Sequence, residues 1–304
     1  MKNKLKIVTS VLWTMVVLGC VSLLLITFLD LPFIPTISEI TGQEAKAEET
    51  ADSITFLNVG EGDAILVKSN NRFALIDTGD GLSTDIIREL KSYGVKGLDA
   101  LILTHWHTDH VGAATQILKE FKVLNLVVPK LPESLTTDYK TAKEITKLAS
   151  DNKASHILAR QGLVITIGDF RLSVLYCNPE DKTENNSCAV IMAKCGNYKF
   201  LLMSDAESEL EQKLVKEKYN LDCDVIKIGH HGSSGSTTND LLDIATPNHA
   251  VISVGADNNY NHPAGKVLDL LHYANVNILR TDKVGNIEFH VENEELVIKC
   301  SNFN

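Results

Sequence analysis

Three histidines and one aspartate lie within six residues of this sequence, directly after a largely apolar segment (residues 98–103) that has the length of a buried strand. Alternate side chains at the end of a strand point into one pocket, so His105 and His107 can share one metal ion. Asp109 and His110 follow on the loop and can hold a second ion. Imidazole and carboxylate ligands suit zinc, with manganese or iron as alternatives, so the segment predicts a metal centre.

Three more apolar segments stop at polar residues of the kind that bind metals or orient their ligands. They are residues 73–76 before Asp77, residues 200–203 before Ser204-Asp205, and residues 225–228 before Gly229 and the pair His230-His231. One ending of this type is common, whereas three in this order around a histidine cluster are hard to obtain by chance. Their spacing resembles that of the metallo-β-lactamase superfamily.

That resemblance implies a fold and an arrangement of ligands. The fold is α/β, a four-layer αββα metallo-β-lactamase-like sandwich in which two sheets lie face to face between outer helices. In the ligand arrangement Asp205 bridges two metal ions, and one member of the pair His230-His231 completes the second site. We favour His230 because it is the first of the two after the strand. The sequence does not exclude His231 as the ligand.

The periodicity of the sequence points to the same class less specifically. Past residue 52, strand-length apolar runs alternate with helix-period segments in two halves, which by itself predicts mixed α/β structure. The expected helices cover residues 84–93, 111–121, 137–150, 207–219, 239–245 and 264–274.

A narrower likeness rests on four motifs, which together resemble the hydrolase domain of ComEC-type competence proteins over about residues 54–290. The motifs are Asn58–Ala64, Asn185-Asn186-Ser187, Gly229–Ser233 and Tyr260–Pro263. The likeness implies a nuclease role. It also makes Asp63, Asn186 and Ser233 candidates for residues that support the metal ligands or contact the substrate.

The sequence departs from most metallo-β-lactamase-fold enzymes at one ligand. Those enzymes place a further histidine between the first cluster and the bridging aspartate, and His156 is the candidate here. We interpret His156 as a surface or strand-edge residue, because it precedes the segment where the ligand should fall. The ComEC-type pattern implies that Ser187 or a water takes that place, which leaves a weaker first site.

Two divalent ions about 3.5–4 Å apart can share one hydroxide, lower its pKa towards neutrality and stabilise the charge of the forming bond. We expect two Zn²⁺ ions, with Mn²⁺ as the alternative, and we assign Asp109 and Asp205 to the catalytic residues. His262 is the third expected catalytic residue and would donate a proton to the leaving group. The alternative is that His262 is an ordinary turn residue. Asp77 is expected to accept a hydrogen bond from a ligating imidazole and fix its tautomer, with a helix cap as the alternative.

The segment that follows the histidine pair is rich in small residues and leads into a helix. Residues 229–236 allow close backbone approach, and N–H groups at a helix start attract anions, although a flexible capped loop fits the composition equally well. Lys227 precedes this segment on a strand whose neighbours are apolar. It could reach a phosphate or lie at a sheet edge.

The N-terminal region has the features of a membrane segment. Residues 7–29 are 23 consecutive residues without a charge. A helix of this length, at about 1.5 Å per residue, spans the roughly 30 Å hydrocarbon layer. Lys2, Lys4 and Lys6 precede the segment, which favours a cytoplasmic N-terminus and a domain outside the cytoplasmic membrane.

We therefore expect one transmembrane helix to precede the sandwich. The predicted division is a cytoplasmic stub and anchor (1–30), a tether (31–52) and a hydrolase domain (53–304). A cleaved signal peptide with its site near Ala45-Lys46-Ala47 is the alternative, as is a lipoprotein signal ending at Cys20.

Five cysteines fall in the predicted domain: Cys177, Cys188, Cys195, Cys223 and Cys300. Disulfides can form outside the cytoplasm, but several of these residues lie in strand-like runs, where a buried free thiol acts as a small apolar residue. If all five must stay reduced, the inverted topology gains weight.

The charge of the chain limits how it can bind polymers. The formal net charge is −10, and residues 1–50 contribute about −1 of it, from four lysines against five acids. Non-specific nucleic-acid binders usually carry a strong basic surplus, which this domain lacks. Two metal ions would provide positive charge where a phosphate sits, so the acidic composition does not exclude DNA as the substrate.

These observations favour a membrane-anchored hydrolase that acts on a phosphoester, with DNA as one candidate substrate. Hydrolysis of an amide, lactam or lactone is the second interpretation, and a non-catalytic binding module that keeps its metal is the third. The sequence does not identify a protein partner.

Overall fold

The computed structural model describes residues 52–131, 137–292 and 294–302. Its strands are β1 (Asp52–Phe56), β2 (Ile65–Ser69), β3 (Arg72–Ile76), β4 (Gly97–Ile102), β5 (Lys122–Val128), β6 (Ser155–Leu158), β7 (Val164–Ile167), β8 (Phe170–Tyr176), β9 (Val190–Cys195), β10 (Tyr198–Leu202), β11 (Val225–Lys227), β12 (His249–Ile252), β13 (Asn277–Arg280), β14 (Ile287–Glu292) and β15 (Glu295–Cys300). The α-helices are α1 (Ile86–Ser92), α2 (Thr108–Val111), α3 (Ala114–Glu120), α4 (Thr137–Asp151), α5 (Ser208–Lys216), α6 (Asn239–Ala245), α7 (Gly265–Tyr273) and α8 (Thr281–Val284).

The strands form two mixed sheets. One has the order β15-β14-β1-β2-β3-β4-β5-β6, and the other has the order β13-β12-β11-β10-β9-β8-β7. In the first sheet β3, β4, β5 and β6 run parallel, and in the second β10, β11, β12 and β13 do. Each parallel set presents its carboxyl ends along one edge, which is where ligands bind in α/β sheets.

Alternation of side chains along the strands creates the layers. In β10, Phe200 and Leu202 belong to the cluster shared by both sheets, while Leu201 packs in a second cluster with Leu210 and Leu214 of α5. Equivalent packing on the first sheet involves the helices α1, α3 and α4. Because successive residues of a strand face opposite sides, both sheets bury one face against each other and the other against helices. The predicted four-layer αββα sandwich is confirmed.

Several local features differ from the sequence prediction. The predicted helix over 111–121 is divided between α2 and α3, with Gly112 and Ala113 between them. The segment of His156 forms β6, and the exposed His156 ring lies 3.1 Å from Ser150 Oγ at the edge of the first sheet, so its interpretation as a strand-edge residue fits its position.

The predicted anchor and nearly all of the predicted tether lie outside the described residues, and β1 begins at Asp52. None of the helices in the described part of the chain has the length and apolarity needed to cross a bilayer.

The five cysteines of the described residues are free, and four of them are buried. Burial raises the pKa of the Cys177 thiol to about 11, and that of Cys223 to about 12. These thiols are therefore protonated at neutral pH and act as small apolar core residues, as predicted.

Candidate metal centre

Five strand ends meet at one place between the two sheets. The first sheet contributes Asp77 after β3 and His105 after β4, and the second contributes Asp205 after β10, the His230-His231 pair after β11 and Ser253 after β12. The helix α2 begins within the histidine cluster and carries Asp109 and His110 inward. The convergence follows from the parallel pairing in each sheet.

Three side chains form a first group of donor atoms. His105 Nε2 lies 3.1 Å from His107 Nδ1 and 3.7 Å from Asp205 Oδ2. One ligand atom from each of the three residues falls within 4.8 Å of the others. This separation suits atoms that surround a single cation.

A second group forms on the other side of the same aspartate. It consists of Asp109, His110, Asp205 and His231. His110 Nε2 lies 3.0 Å from Asp205 Oδ1, and His231 Nε2 lies 3.2 Å from Asp109 Oδ2 and 3.5 Å from Asp205 Oδ1. Asp205 thus presents Oδ2 to the first group and Oδ1 to the second, which makes this a candidate dinuclear metal site.

The bonding at Asp205 supports a cation as the missing partner. Asp205 Oδ1 and His110 Nε2 are both buried and have no hydrogen-bond partner, although they lie only 3.0 Å apart, because their orientation does not suit a hydrogen bond. A buried polar atom without a partner costs free energy. A cation between these atoms would satisfy both, so the second group fits a divalent ion, and the three donors of the first group offer a place for another.

The pKa shifts of two donors, His105 and Asp205, suit metal binding, whereas neighbouring carboxylates overcome burial and raise the pKa of His110 and His231, so that a cation would displace a proton from those rings. Burial, aided by repulsion from His110, lowers the pKa of His105 well below its usual range, which leaves a lone pair free at neutral pH. Burial alone would raise the pKa of Asp205, but the neighbouring His110 and His231 hold it well below its usual range. The charge of this buried carboxylate attracts a cation.

Asp77 makes the contact that the sequence predicted for it. Its Oδ2 lies 2.8 Å from His110 Nδ1, and its two oxygens accept hydrogen bonds from Thr104 N at 2.8 Å and Thr104 Oγ1 at 2.6 Å. A hydrogen bond at Nδ1 directs the other ring nitrogen of His110 towards the centre. Asp77 therefore does not cap a helix.

The geometry favours His231 as the ligand of the second group, whereas the sequence analysis favoured His230. Both residues have left-handed backbone conformations, with φ of 47° and 52°. This turn directs the buried ring of His231 back to Asp109 and Asp205. His230 is partly exposed, with Nε2 3.8 Å from Asp205 Oδ2 and Nδ1 3.3 Å from Glu207 Oε1.

Both positions that the sequence analysis considered for Lys227 are wrong. It lies on β11, inside the second sheet, and its side chain is fully buried, so it neither reaches solvent phosphate nor lies at a sheet edge. Its Nζ pairs with Asp63 Oδ2 at 2.7 Å and donates to Ser204 O at 3.3 Å. Asp63 Oδ1 lies 3.7 Å from His231 Nδ1. The buried ion pair of Lys227 and Asp63 therefore packs against the ring of His231.

Two predicted residues have structural contacts beside the centre. The buried Asn186 accepts a hydrogen bond from Glu207 N at 3.0 Å, and Ser233 N donates to His230 O at 2.7 Å. Both contacts fix the backbone near His230. Neither side chain belongs to the two donor groups.

Ser187, expected at the place of the missing ligand, has its hydroxyl engaged elsewhere. Ser187 Oγ donates to Glu184 O at 2.7 Å. The side chain of Glu184 lies closer to the first group, with Oε2 3.6 Å from His107 Nε2, while Oε1 accepts a hydrogen bond from Trp106 N at 3.1 Å. Sequence reasoning missed Glu184, since nothing in its local pattern marks an acid in a loop as a neighbour of a metal ligand.

The histidine loop, residues 229–236, is anchored at its far end. Glu211 of α5 is fully buried, and its carboxylate accepts hydrogen bonds from Thr237 N and Thr238 N, both at 2.7 Å. At the near end Ser236 Oγ donates to Gly229 O at 2.8 Å. The loop is therefore held by specific contacts, which argues against the flexible loop considered above.

A cavity of about 460 Å³ opens above the donor groups. Its lining includes Glu61, His107, Asp109, His230, Tyr260 and His262. His262 Nδ1 lies 3.2 Å from Glu61 Oε1, and Glu61 Oε2 also accepts a hydrogen bond from Gly255 N at 3.1 Å. Glu61 is a second residue that sequence reasoning missed, although it lies within the Asn58–Ala64 motif.

Residues 57–256 match the model of the metallo-beta-lactamase superfamily, and this match includes both donor groups. The chain belongs to the metallo-beta-lactamase superfamily. It is therefore a metal-binding hydrolase of the metallo-beta-lactamase fold, related to competence proteins.

The metallo-beta-lactamase domain has relatives among competence proteins, which confirms the ComEC-type resemblance. It is 35% identical to ComE operon protein 3 of Bacillus subtilis over 79% of this chain and 33% of that protein. It is 30% identical to the competence protein ComA of Neisseria gonorrhoeae over 81% of this chain and 33% of that protein. The chain thus spans about a third of the length of these relatives.

A solved structure shares the fold at low sequence identity. The metallo-beta-lactamase fold protein YhfI from Bacillus subtilis superposes with a TM-score of 0.52 at 13% identity, over 75% of this chain and 96% of that one. At this identity the likeness supports the fold alone.

The two histidines can be separated by their metal content. We expect the full chain, reconstituted with zinc or manganese and freed of loosely bound ions, to hold up to two ions. His231→Ala should lose one of them because it removes a buried donor, whereas His230→Ala should keep both. Elemental analysis against protein concentration measures this. Loss of an ion from the His230 variant alone would reverse the assignment, and absence of metal from the wild type would contradict the centre.

The bridging role of Asp205 predicts a larger effect. Asp205→Ala removes a donor from both groups, so metal content and the turnover of any substrate that the wild type cleaves should both fall, the rate by on the order of 1,000-fold. Asp243→Ala, on an exposed position of α6, is the matched control. Circular dichroism should show both variants folded. Near wild-type turnover of Asp205→Ala would contradict the bridge.

Proposed function

We propose that this chain is a dinuclear metallohydrolase that cleaves phosphodiester bonds, with DNA or another nucleic acid as substrate. The observation that carries the proposal is the shared carboxylate of Asp205, which separates two donor groups at the floor of an open cavity. Such a pair of sites suits the attack of water on a phosphodiester. The ComEC-type resemblance implies a nuclease role, and the relatives named for competence agree with it.

Two divalent ions bound at these groups would lower the pKa of water and neutralise phosphoryl charge. We propose Zn²⁺, with Mn²⁺ as the alternative, because the donors are imidazoles and carboxylates. His110 is oriented by Asp77, and His231 by Ser253 O, which lies 3.0 Å from its Nδ1. These contacts fix the ring planes before substrate arrives.

His262 is the proposed proton donor to the leaving group. It faces the cavity beside His230, with ring centroids 5.6 Å apart, and Glu61 Oε1 lies 3.2 Å from its Nδ1. A carboxylate at Nδ1 orients the ring and leaves Nε2 as the proton-transferring atom. Asp109 is expected to hold the second ion and to position the attacking water.

The acidic charge of the chain favours local recognition of a phosphate. With a formal net charge of −10, the protein offers no general attraction for a polyanion. Positive charge would instead be concentrated at the two ions. This distribution fits an enzyme that engages a few nucleotides of a strand.

A substrate panel tests the reaction class. We expect the full chain, with zinc or manganese, to cleave bis-p-nitrophenyl phosphate and single-stranded DNA, and to leave a chromogenic cephalosporin intact. Metal removal by a chelator should abolish cleavage, and restored metal should recover it. Cleavage of the cephalosporin or of a lactone without cleavage of phosphodiesters would favour the second interpretation. Metal binding without turnover on any of them would favour a binding module.

We also propose that residues 7–29 anchor the chain in the cytoplasmic membrane with the hydrolase domain outside. The support is the uncharged segment and the three lysines that precede it, all of which lie outside the described residues.

Protease added to intact protoplasts tests this topology. The domain should be digested while a cytoplasmic marker protein stays intact, because only outward-facing protein is accessible. Protection in intact protoplasts and digestion after lysis would place the domain inside. That result would also agree with the free cysteines.

A further inference from the structure

Tyr260 is an exposed aromatic residue at the mouth of the cavity. It is 69% exposed and belongs to the cavity lining. Its ring stacks on that of His262 with centroids 5.6 Å apart and an angle of 23° between the planes. The His262 ring stacks in turn on His231, at 6.4 Å and 30°. A row of near-parallel rings therefore leads from the second donor group to solvent.

The segment that carries Tyr260, here called the platform loop (residues 255–263), is fixed by its own hydrogen bonds. Asn258 Nδ2 donates to Gly255 O at 2.9 Å and to His262 O at 2.8 Å. Asn258 Oδ1 accepts from Tyr260 N at 3.2 Å and from His262 N at 2.9 Å. One carboxamide thus holds both ends of the turn. The exposure of the Tyr260 ring is a property of an ordered loop.

The position of the ring suits a ligand with a flat face. One face of Tyr260 lies against His262, and its high exposure leaves most of the remaining surface open to solvent. Aromatic rings prefer offset stacking with other π systems, and a base stacked on an aromatic side chain contributes about 1–3 kcal/mol whatever its identity. With a formal net charge of −10 the chain has no overall electrostatic attraction for a strand, so stacking would contribute a larger share of the binding free energy.

We propose that Tyr260 is a stacking platform for an unpaired nucleobase next to the scissile phosphate, so that the preferred substrate is single-stranded nucleic acid. This inference rests on the proposed phosphodiesterase function. The donor groups would take the phosphate, while Tyr260 takes the neighbouring base. A base inside a duplex has both faces covered by its neighbours, so duplex substrate gains little from the platform.

The phenolic oxygen offers a different explanation, in which Tyr260 acts on the leaving group as a proton donor. Tyr260→Phe keeps the ring and removes the hydroxyl, while Tyr260→Leu removes the aromatic face and keeps an apolar side chain. Tyr273→Leu is the matched control, because Tyr273 is 89% exposed at the end of α7 and lies outside the cavity lining.

The experiment compares two strands of equal length on the full chain loaded with zinc or manganese. One is oligothymidylate, and the other has the same sugar-phosphate backbone with abasic residues. We expect Tyr260→Leu to raise KM for oligothymidylate about tenfold, with kcat nearly unchanged, and to alter the abasic strand little. Tyr260→Phe and Tyr273→Leu should match the wild type on both strands.

An equal loss on both strands, or a fall in kcat for Tyr260→Phe, would overturn the platform, because neither depends on a base. Failure of the proposed function has a separate signature, namely no cleavage of either strand by the wild type. The Kd of each strand, measured by fluorescence anisotropy, still tests the inference in that case. Wild-type binding that does not distinguish the two strands, or does not weaken in Tyr260→Leu, would contradict it.

Discussion

The shared carboxylate of Asp205 is the interaction on which the rest of the structure depends. It follows β10, the first of the parallel strands in the second sheet, and it is the one residue common to both donor groups. Each sheet supplies only part of the centre, because His105 and His107 belong to the first half of the chain. Face-to-face packing of the sheets is therefore required to form the site. A shift of one sheet against the other would separate the two oxygens of Asp205 from the imidazoles they face, so core packing and metal binding are coupled.

The charges beneath this carboxylate are balanced by buried partners. Lys227 is enclosed in the second sheet and neutralises Asp63 at 2.7 Å, and Asp77 is held by Thr104 and His110. A buried charge without a partner is costly, so these contacts reduce the cost of placing several carboxyl groups close together. Asp63 Oδ1, Asp205 Oδ1 and His110 Nε2 nevertheless lack hydrogen-bond partners. The last two atoms lie 3.0 Å apart where the donor atoms converge, and a bound cation would satisfy both.

The sequence predicted the parts of this arrangement that depend on strand ends. The pattern of apolar residues marks the strands β4 and β10, and five candidate ligands come directly after these strands or on the loop that follows: His105, His107, Asp109, His110 and Asp205. The choice between His230 and His231 was not readable, since it depends on two consecutive left-handed residues that rotate the second ring inward. The burial of Lys227 depends on its distant partner Asp63. Glu61 reaches the cavity and Glu184 reaches His107 from loops, where sequence spacing carries little information about direction.

The histidine loop and the platform loop are joined at one close contact. Gly232 has φ of 79°, and a Cβ there would lie 2.7 Å from Cβ of Pro263, so the two backbones approach as closely as a glycine permits. Ala264 N also donates to Gly232 O at 2.8 Å. Because of this contact, a shift of the His231 backbone would also shift the turn that carries His262 and Tyr260. The candidate metal ligand His231, the proposed proton donor His262 and the proposed platform Tyr260 thus lie on two loops in direct contact, which follow the carboxyl ends of β11 and β12.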